Sequence, residues 1–242
     1  MNFFIVILIC GFPIIFSTLR AKKMAKHKDK YSLQERYDNT RKIAMKVLKY
    51  LRVNINEYGT EIMKEEHDQG RVYFANHLSV VDILVVIAMS PKPLVFISKL
   101  ENLKTPFLKT HIAALDVLSI DRSNLRQSLK ICKEAGLMAK NNHNDIMVFP
   151  EGTRSKDGEV HEFHAALDSI VHFGEVESVM ICLNNTEEPL KYHIIKYPKS
   201  YVDIKVLEPI PYEVYKEKRS EFSVYARNLI KNELAELRSK DK

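Results

Sequence analysis

The chain has 242 residues, 45% of them hydrophobic and 28% charged, with no internal repeat and no low-complexity tract. That is enough for one α/β domain with a sizeable core, or for two small ones. Net charge is +6, but residues 20–52 hold twelve Lys/Arg against Asp29, Glu35 and Asp38, so the rest of the chain is slightly acidic and broad nucleic-acid binding is not expected.

The first element is apolar. Asn2 to Leu19 carries no charged side chain, and "RAKKMAKHKDK" follows it. Eighteen residues barely reach the roughly 20 of a spanning helix, and Pro13 and Gly11 weaken the run. The segment reads as a spanning helix, or as a re-entrant or interfacial one, whose basic flank sits at an anionic cytoplasmic leaflet. Ser32 and Glu35 have capping-box spacing. They open a helix with Leu33, Tyr37, Ala44, Val47, Leu48 and Leu51 on one face and a basic face around it, which is the pattern of a membrane-surface element. Residues 1–52 therefore read as an N-terminal membrane-associated unit, and 53–242 as the main domain.

From residue 71 short apolar runs alternate with helical stretches. Strands are expected at Val72–Ala75, Leu94–Ser98, Val117–Ile120, Ile146–Phe149, Ser178–Leu183 and Val202–Leu207. Helices are expected over Val80–Met89, from Ser123 with Leu125, Leu129, Cys132 and Gly136 on one face, over Glu162–Phe173, and at the C-terminus through Phe222, Tyr225, Ala226, Leu229, Ile230 and Leu237. Such alternation predicts an α/β fold, a mixed sheet flanked by helices, with polar motifs at strand ends as the natural site. Cys10, Cys132 and Cys182 stand alone in apolar surroundings, as buried free thiols do.

Three motifs lie at strand ends. In "ANHLSVVD", His77 is a candidate general base and Asp82 its orienting partner. Five residues are about 140° apart on a helix, so the pair works only with His77 in the loop and Asp82 on the first turn. Ser79–Asp82 also has the form of a capping box, which would make Asp82 a helix cap and nothing more. In "FPEGTRS", a turn displays Glu151, Thr153 and Arg154 around Gly152, and Arg154 suits a phosphate. In "SIDR", Arg122 is a second candidate anion ligand, or a surface Arg paired with Asp121. Together they supply a base, its orienter and two cations. That set suits a substrate with a phosphate head, a hydroxyl and an apolar tail.

"NHLSVVD" and "FPEGTRS", in this order and about 70 residues apart with "SIDR" between, resemble the signature blocks of the 1-acyl-glycerol-3-phosphate (lysophosphatidic acid) acyltransferase family of glycerolipid acyltransferases. The resemblance implies that His77 deprotonates a glycerol hydroxyl that attacks an acyl thioester, and that Asp82 orients His77. Asn76 would shape the site. Arg122 and Arg154 would bind the acceptor phosphate, with Glu151, Gly152 and Thr153 forming that turn. Lys99, where the family often has Lys, would add to the anion site. It implies no metal and no cofactor beyond a co-substrate, acyl-coenzyme A or acyl-acyl carrier protein. The partners it implies are a lysophospholipid and a membrane surface at the cytoplasmic face, with no nucleic acid.

The chain departs from the family in three places. Phe163-His164-Ala165-Ala166 stands for the usual Phe-Lys-x-Gly, "VESVMICL" lacks a proline, and Asp116 occupies a position often held by Gly. Rival readings are a different lysolipid acceptor, a non-catalytic lipid-binding protein, and a metal-dependent hydrolase using His161 and His164 on one helix face.

Overall fold

The computed structural model describes residues 3–164, 168–191 and 198–240. The chain begins with α1 (Phe3–Lys26) and α2 (Leu33–Tyr50). The Ser32/Glu35 capping box is formed in both directions. Tyr37, Ala44, Val47, Leu48 and Leu51 are buried as the spacing predicts. They share one core with Tyr73 of the sheet and Val85 of the helix that follows residue 80. Helix α1 continues through Gly11 and Pro13. Among the described residues no helix is long and apolar enough to cross a membrane.

Seven strands form one sheet in the order β1-β7-β6-β2-β5-β3-β4. They are β1 (Val53–Tyr58), β2 (Val72–Ala75), β3 (Leu94–Lys99), β4 (Leu118–Ile120), β5 (Asp145–Val148), β6 (Ser178–Asn184) and β7 (Ser200–Val206). Strands β6, β2, β5, β3 and β4 are mutually parallel; β7 runs antiparallel to β6, and β1 parallel to β7. Six strands lie where the apolar runs predict them. β1 was not expected from sequence: it is an edge strand with no buried residue, so no apolar run announces it.

Alternation along β2 sends Tyr73 and Ala75 to one face and Val72 and Phe74 to the other. The first face is covered by α2 and α3 (Val81–Met89). The second is covered by α5 (Leu125–Asn142), α6 (Asp168–Gly174) and α8 (Phe222–Lys240). α4 (Pro106–Ala114) packs beside α1, and α7 (Tyr212–Lys218) beside α6. Cys132 and Cys182 are buried free thiols whose pKa is raised by burial, while the side chain of Cys10 lies outside the described set.

Two helix expectations need correction. Cys132 and Gly136 of α5 are buried, but Leu125 and Leu129, expected on the same face, are 67% and 41% exposed. The helix expected over 162–173 begins only at Asp168 among the described residues. His161–His164 is non-helical, so the two histidines share no helix face, and Ala165 and Ala166 lie outside the described set.

Asp116 adopts φ 54°, a left-handed conformation that explains why Gly suits this position. The Asp side chain adds what Gly cannot. It accepts from Arg36 Nη1 at 2.8 Å and from Lys28. Arg36 is nearly buried and also donates to Ala114 O at 2.6 Å, so this corner ties both N-terminal helices to the domain.

Candidate active site

The carboxyl ends of the five parallel strands share one edge. From β2 the chain crosses to β3 by α3 on one face; from β5 it crosses to β6 by α6 on the other. Chain leaving β2 and β5 in opposite directions opens a crevice at their carboxyl ends, where open α/β sheets bind ligands. "ANH" ends β2 and "FPEGTR" ends β5, so both motifs meet there.

His77 Nδ1 lies 2.7 Å from Asp82 Oδ2. The same oxygen accepts the backbone N–H of Leu78 at 2.7 Å and of Ser79 at 2.8 Å. Thr186 Oγ1 donates to the other oxygen. Every one of these partners is a donor, so His77 Nδ1 carries its proton and Nε2 holds the free lone pair. Asp82 is fully buried, whereas the His77 side chain is 15% exposed. The imidazole stacks on Phe149, with centroids 4.3 Å apart. Capping and orienting turn out to be one arrangement: Ser79 Oγ accepts the Val81 N–H at 2.9 Å while Asp82, on the first turn of α3, reaches back to His77.

Glu151 lies beneath this pair, 4% exposed. Its carboxylate accepts the His77 N–H at 2.9 Å and the His161 N–H at 3.1 Å. Burial pushes its carboxyl above the usual range, against those two donors. Both its oxygens are engaged, so it clamps the two motifs together. Ser155 N–H to His77 O, 2.7 Å, adds a second tie.

Gly152 has φ 68°. A Cβ there would stand 2.8 Å from Arg122 Cζ and 2.9 Å from His164 Cδ2 and Nε2. The missing side chain therefore lets Arg122, from the end of β4, lie on the β5 turn. Burial lowers the Arg122 pKa and nearby Glu101 opposes the shift; the guanidinium stays charged. Thr153 and Arg154 are exposed on the same turn, and Lys99 ends β3 beside Ile120 of β4, half-buried. No hydrogen bond or ion pair engages the Arg122, Arg154 or Lys99 side chains among the described residues. Asn76 is fully buried, and its amide exchanges two hydrogen bonds with the Leu183 backbone, at 2.9 and 2.8 Å, extending the β2–β6 ladder. It shapes the site without facing it.

Sequence reasoning missed Thr186. It is fully buried after β6, and besides holding Asp82 it accepts from Ser79 Oγ at 2.7 Å. His161 is held by Asp157 at 2.9 Å, and no group of three metal-ligating side chains occurs among the described residues.

The structure resembles the 1-acyl-sn-glycerophosphate (LPA) acyltransferase PlsC from Thermotoga maritima, with a TM-score of 0.69 over 97% of this chain and 94% of that one, at 22% identity, a likeness of fold. The sequence is 26% identical over 148 residues to a 1-acyl-sn-glycerol-3-phosphate acyltransferase of Cocos nucifera, covering 61% of this chain and 48% of that protein. To one of Limnanthes alba it is 28% identical over 151 residues, covering 62% and 54%. The chain thus spans about half the length of these curated relatives. A family model described as Acyltransferase matches residues 54–181, more than half of the chain and the whole run from β1 to the middle of β6 that holds both motifs, and the chain belongs to that acyltransferase family.

Proposed function

We propose that the protein transfers a fatty acyl chain from an acyl thioester to the free hydroxyl of a lysophospholipid, with 1-acyl-glycerol-3-phosphate as acceptor and phosphatidic acid as product. The observation that carries this reading is the His77–Asp82 pair, open at Nε2, on the same sheet edge as the Arg122–Gly152 turn. His77 Nε2 takes the hydroxyl proton as the oxygen attacks the thioester carbonyl. The C–S bond then breaks, and the thiolate leaves with the proton from His77. Asp82 favours the imidazolium between those steps. Arg122 and Arg154 hold the phosphate, with Lys99 beside them. The co-substrate is acyl-coenzyme A or acyl-acyl carrier protein, and the chain itself needs no metal.

The protein works at the cytoplasmic face of the cell membrane. Helix α1 exposes Ile15, Phe16 and Leu19, followed by exposed Lys22, Lys23 and Lys26. An apolar stripe running into a basic one suits the interface of an anionic bilayer.

An acceptor panel tests the reading. With acyl-coenzyme A or acyl-acyl carrier protein, lysophosphatidate should be acylated at least tenfold better than monoacylglycerol, which has the hydroxyl but no phosphate. Equal rates would remove the cations' assigned role.

A further inference from the structure

The Gly152 turn holds a basic group that the mechanism above leaves unused. His164 donates its backbone N–H to Pro150 O at 3.1 Å, which folds its segment over the turn. Its imidazole and the Arg122 guanidinium both press on the one Gly152 Cα position, at 2.9 and 2.8 Å from where a Cβ would stand. Neither side chain has a hydrogen bond or an ion pair among the described residues. His164 is exposed, whereas His161 on the same segment is occupied by Asp157. Two such donors within reach of one small volume can be bridged by the oxygens of a single phosphate.

We propose that His164 is a further ligand of the acceptor's phosphate monoester, binding it as imidazolium beside Arg122 and Arg154. This rests on the acyl-transfer reading and deepens it. It also gives a role to the position where the family's usual Lys is replaced.

The charged groups around His164 are Arg122 with Glu101 near it, Arg154 on the turn, the buried Glu151 beneath, and the His161–Asp157 pair. None of the acids bonds the imidazole, so its charge is available to the ligand.

Steady-state assays of the full chain at saturating donor compare wild type, His164→Ala and His164→Lys from pH 6 to 8. At pH 6.5, His164→Ala should raise KM for lysophosphatidate about tenfold with kcat within about twofold, and His164→Lys should restore KM. An unchanged KM in His164→Ala, or a His164→Lys as weak as alanine, would overturn the proposal. A wild type that turns over no lysophosphatidate would count against the acyl-transfer reading instead. The His164 proposal is then decided by titrating glycerol 3-phosphate into the protein and following its imidazole NMR signals. A shift in the signal missing from His164→Lys supports it, and no shift overturns it.

Discussion

Asp82 accepts four hydrogen bonds, and only one of them comes from His77. The other three fix the carboxylate so that it can fix the imidazole. Asp82→Asn removes the negative charge that favours the His77 imidazolium, so kcat/KM should fall by on the order of a hundredfold or more. Thr186→Val removes one bond to a charged acceptor and should cost about tenfold, with the fold retained by circular dichroism. Equal loss in both variants would mean that Thr186 orients the base as much as Asp82 itself does, contrary to the geometry. Gly152→Ala tests the other half of the site. Its methyl group would meet the far ends of Arg122 and His164 and would sit at φ 68°, so KM for the acceptor should rise about tenfold at a stability loss of about 1 kcal/mol. An unchanged KM would show that the two cations can shift without consequence. At this scale the sequence was readable where chemistry is local. His77, Asp82 and the Glu151–Arg154 turn are each recognisable from residue type and spacing. Thr186 was not, because it is 104 residues from Asp82 in the chain and only the β2–β6 pairing brings them together. Glu151 and Asn76 were expected to shape the site and its turn, and both side chains are buried and hydrogen-bonded to backbone.

Helices set the approach to the site. His111 of α4 is buried beside α2, with Nδ1 3.1 Å from Thr40 Oγ1. Burial pulls its pKa down from 6.5 to about 4. Between those values the unfolded chain binds the proton that the folded one refuses, so stability falls as pH drops through this window, by up to about 3 kcal/mol. Urea midpoints at pH 7 and pH 4.5 should show this loss, and His111→Asn, which can keep the Thr40 bond, should reduce it. An identical pH dependence in the variant would assign the loss elsewhere. Helix α1 makes a separate prediction. Under the proposed function Leu19, 61% exposed, would enter the bilayer interface, so Leu19→Asp should weaken sedimentation with anionic vesicles about tenfold, and salt should weaken the wild type. Indifference to both would remove α1 as the contact. Helix periodicity located most elements, including the α2 and α8 faces, but it cannot say where a packing partner ends. Leu125 and Leu129 of α5, in register with buried Cys132, are exposed.

Over the whole molecule, strand order explains why motifs scattered along the sequence act together. The edge sequence β6-β2-β5-β3-β4 lays out Thr186, His77, the Gly152 turn, Lys99 and Arg122 in that spatial order. His77 follows β2, the Gly152 turn follows the neighbouring β5, and Lys99 and Arg122 come from the ends of β3 and β4. The α/β class was legible from alternating apolar runs. The position of β1 and the reversal at β7 were not, since pairing order leaves no local signal and β1 buries little. The most direct test of the account is transfer of labelled acyl chain from a thioester to lysophosphatidate by wild type and His77→Ala. Labelled phosphatidic acid should form with the wild type, and the variant should be slower by on the order of a hundredfold to ten-thousandfold at unchanged fold. Equal rates in the two would contradict His77 as the base.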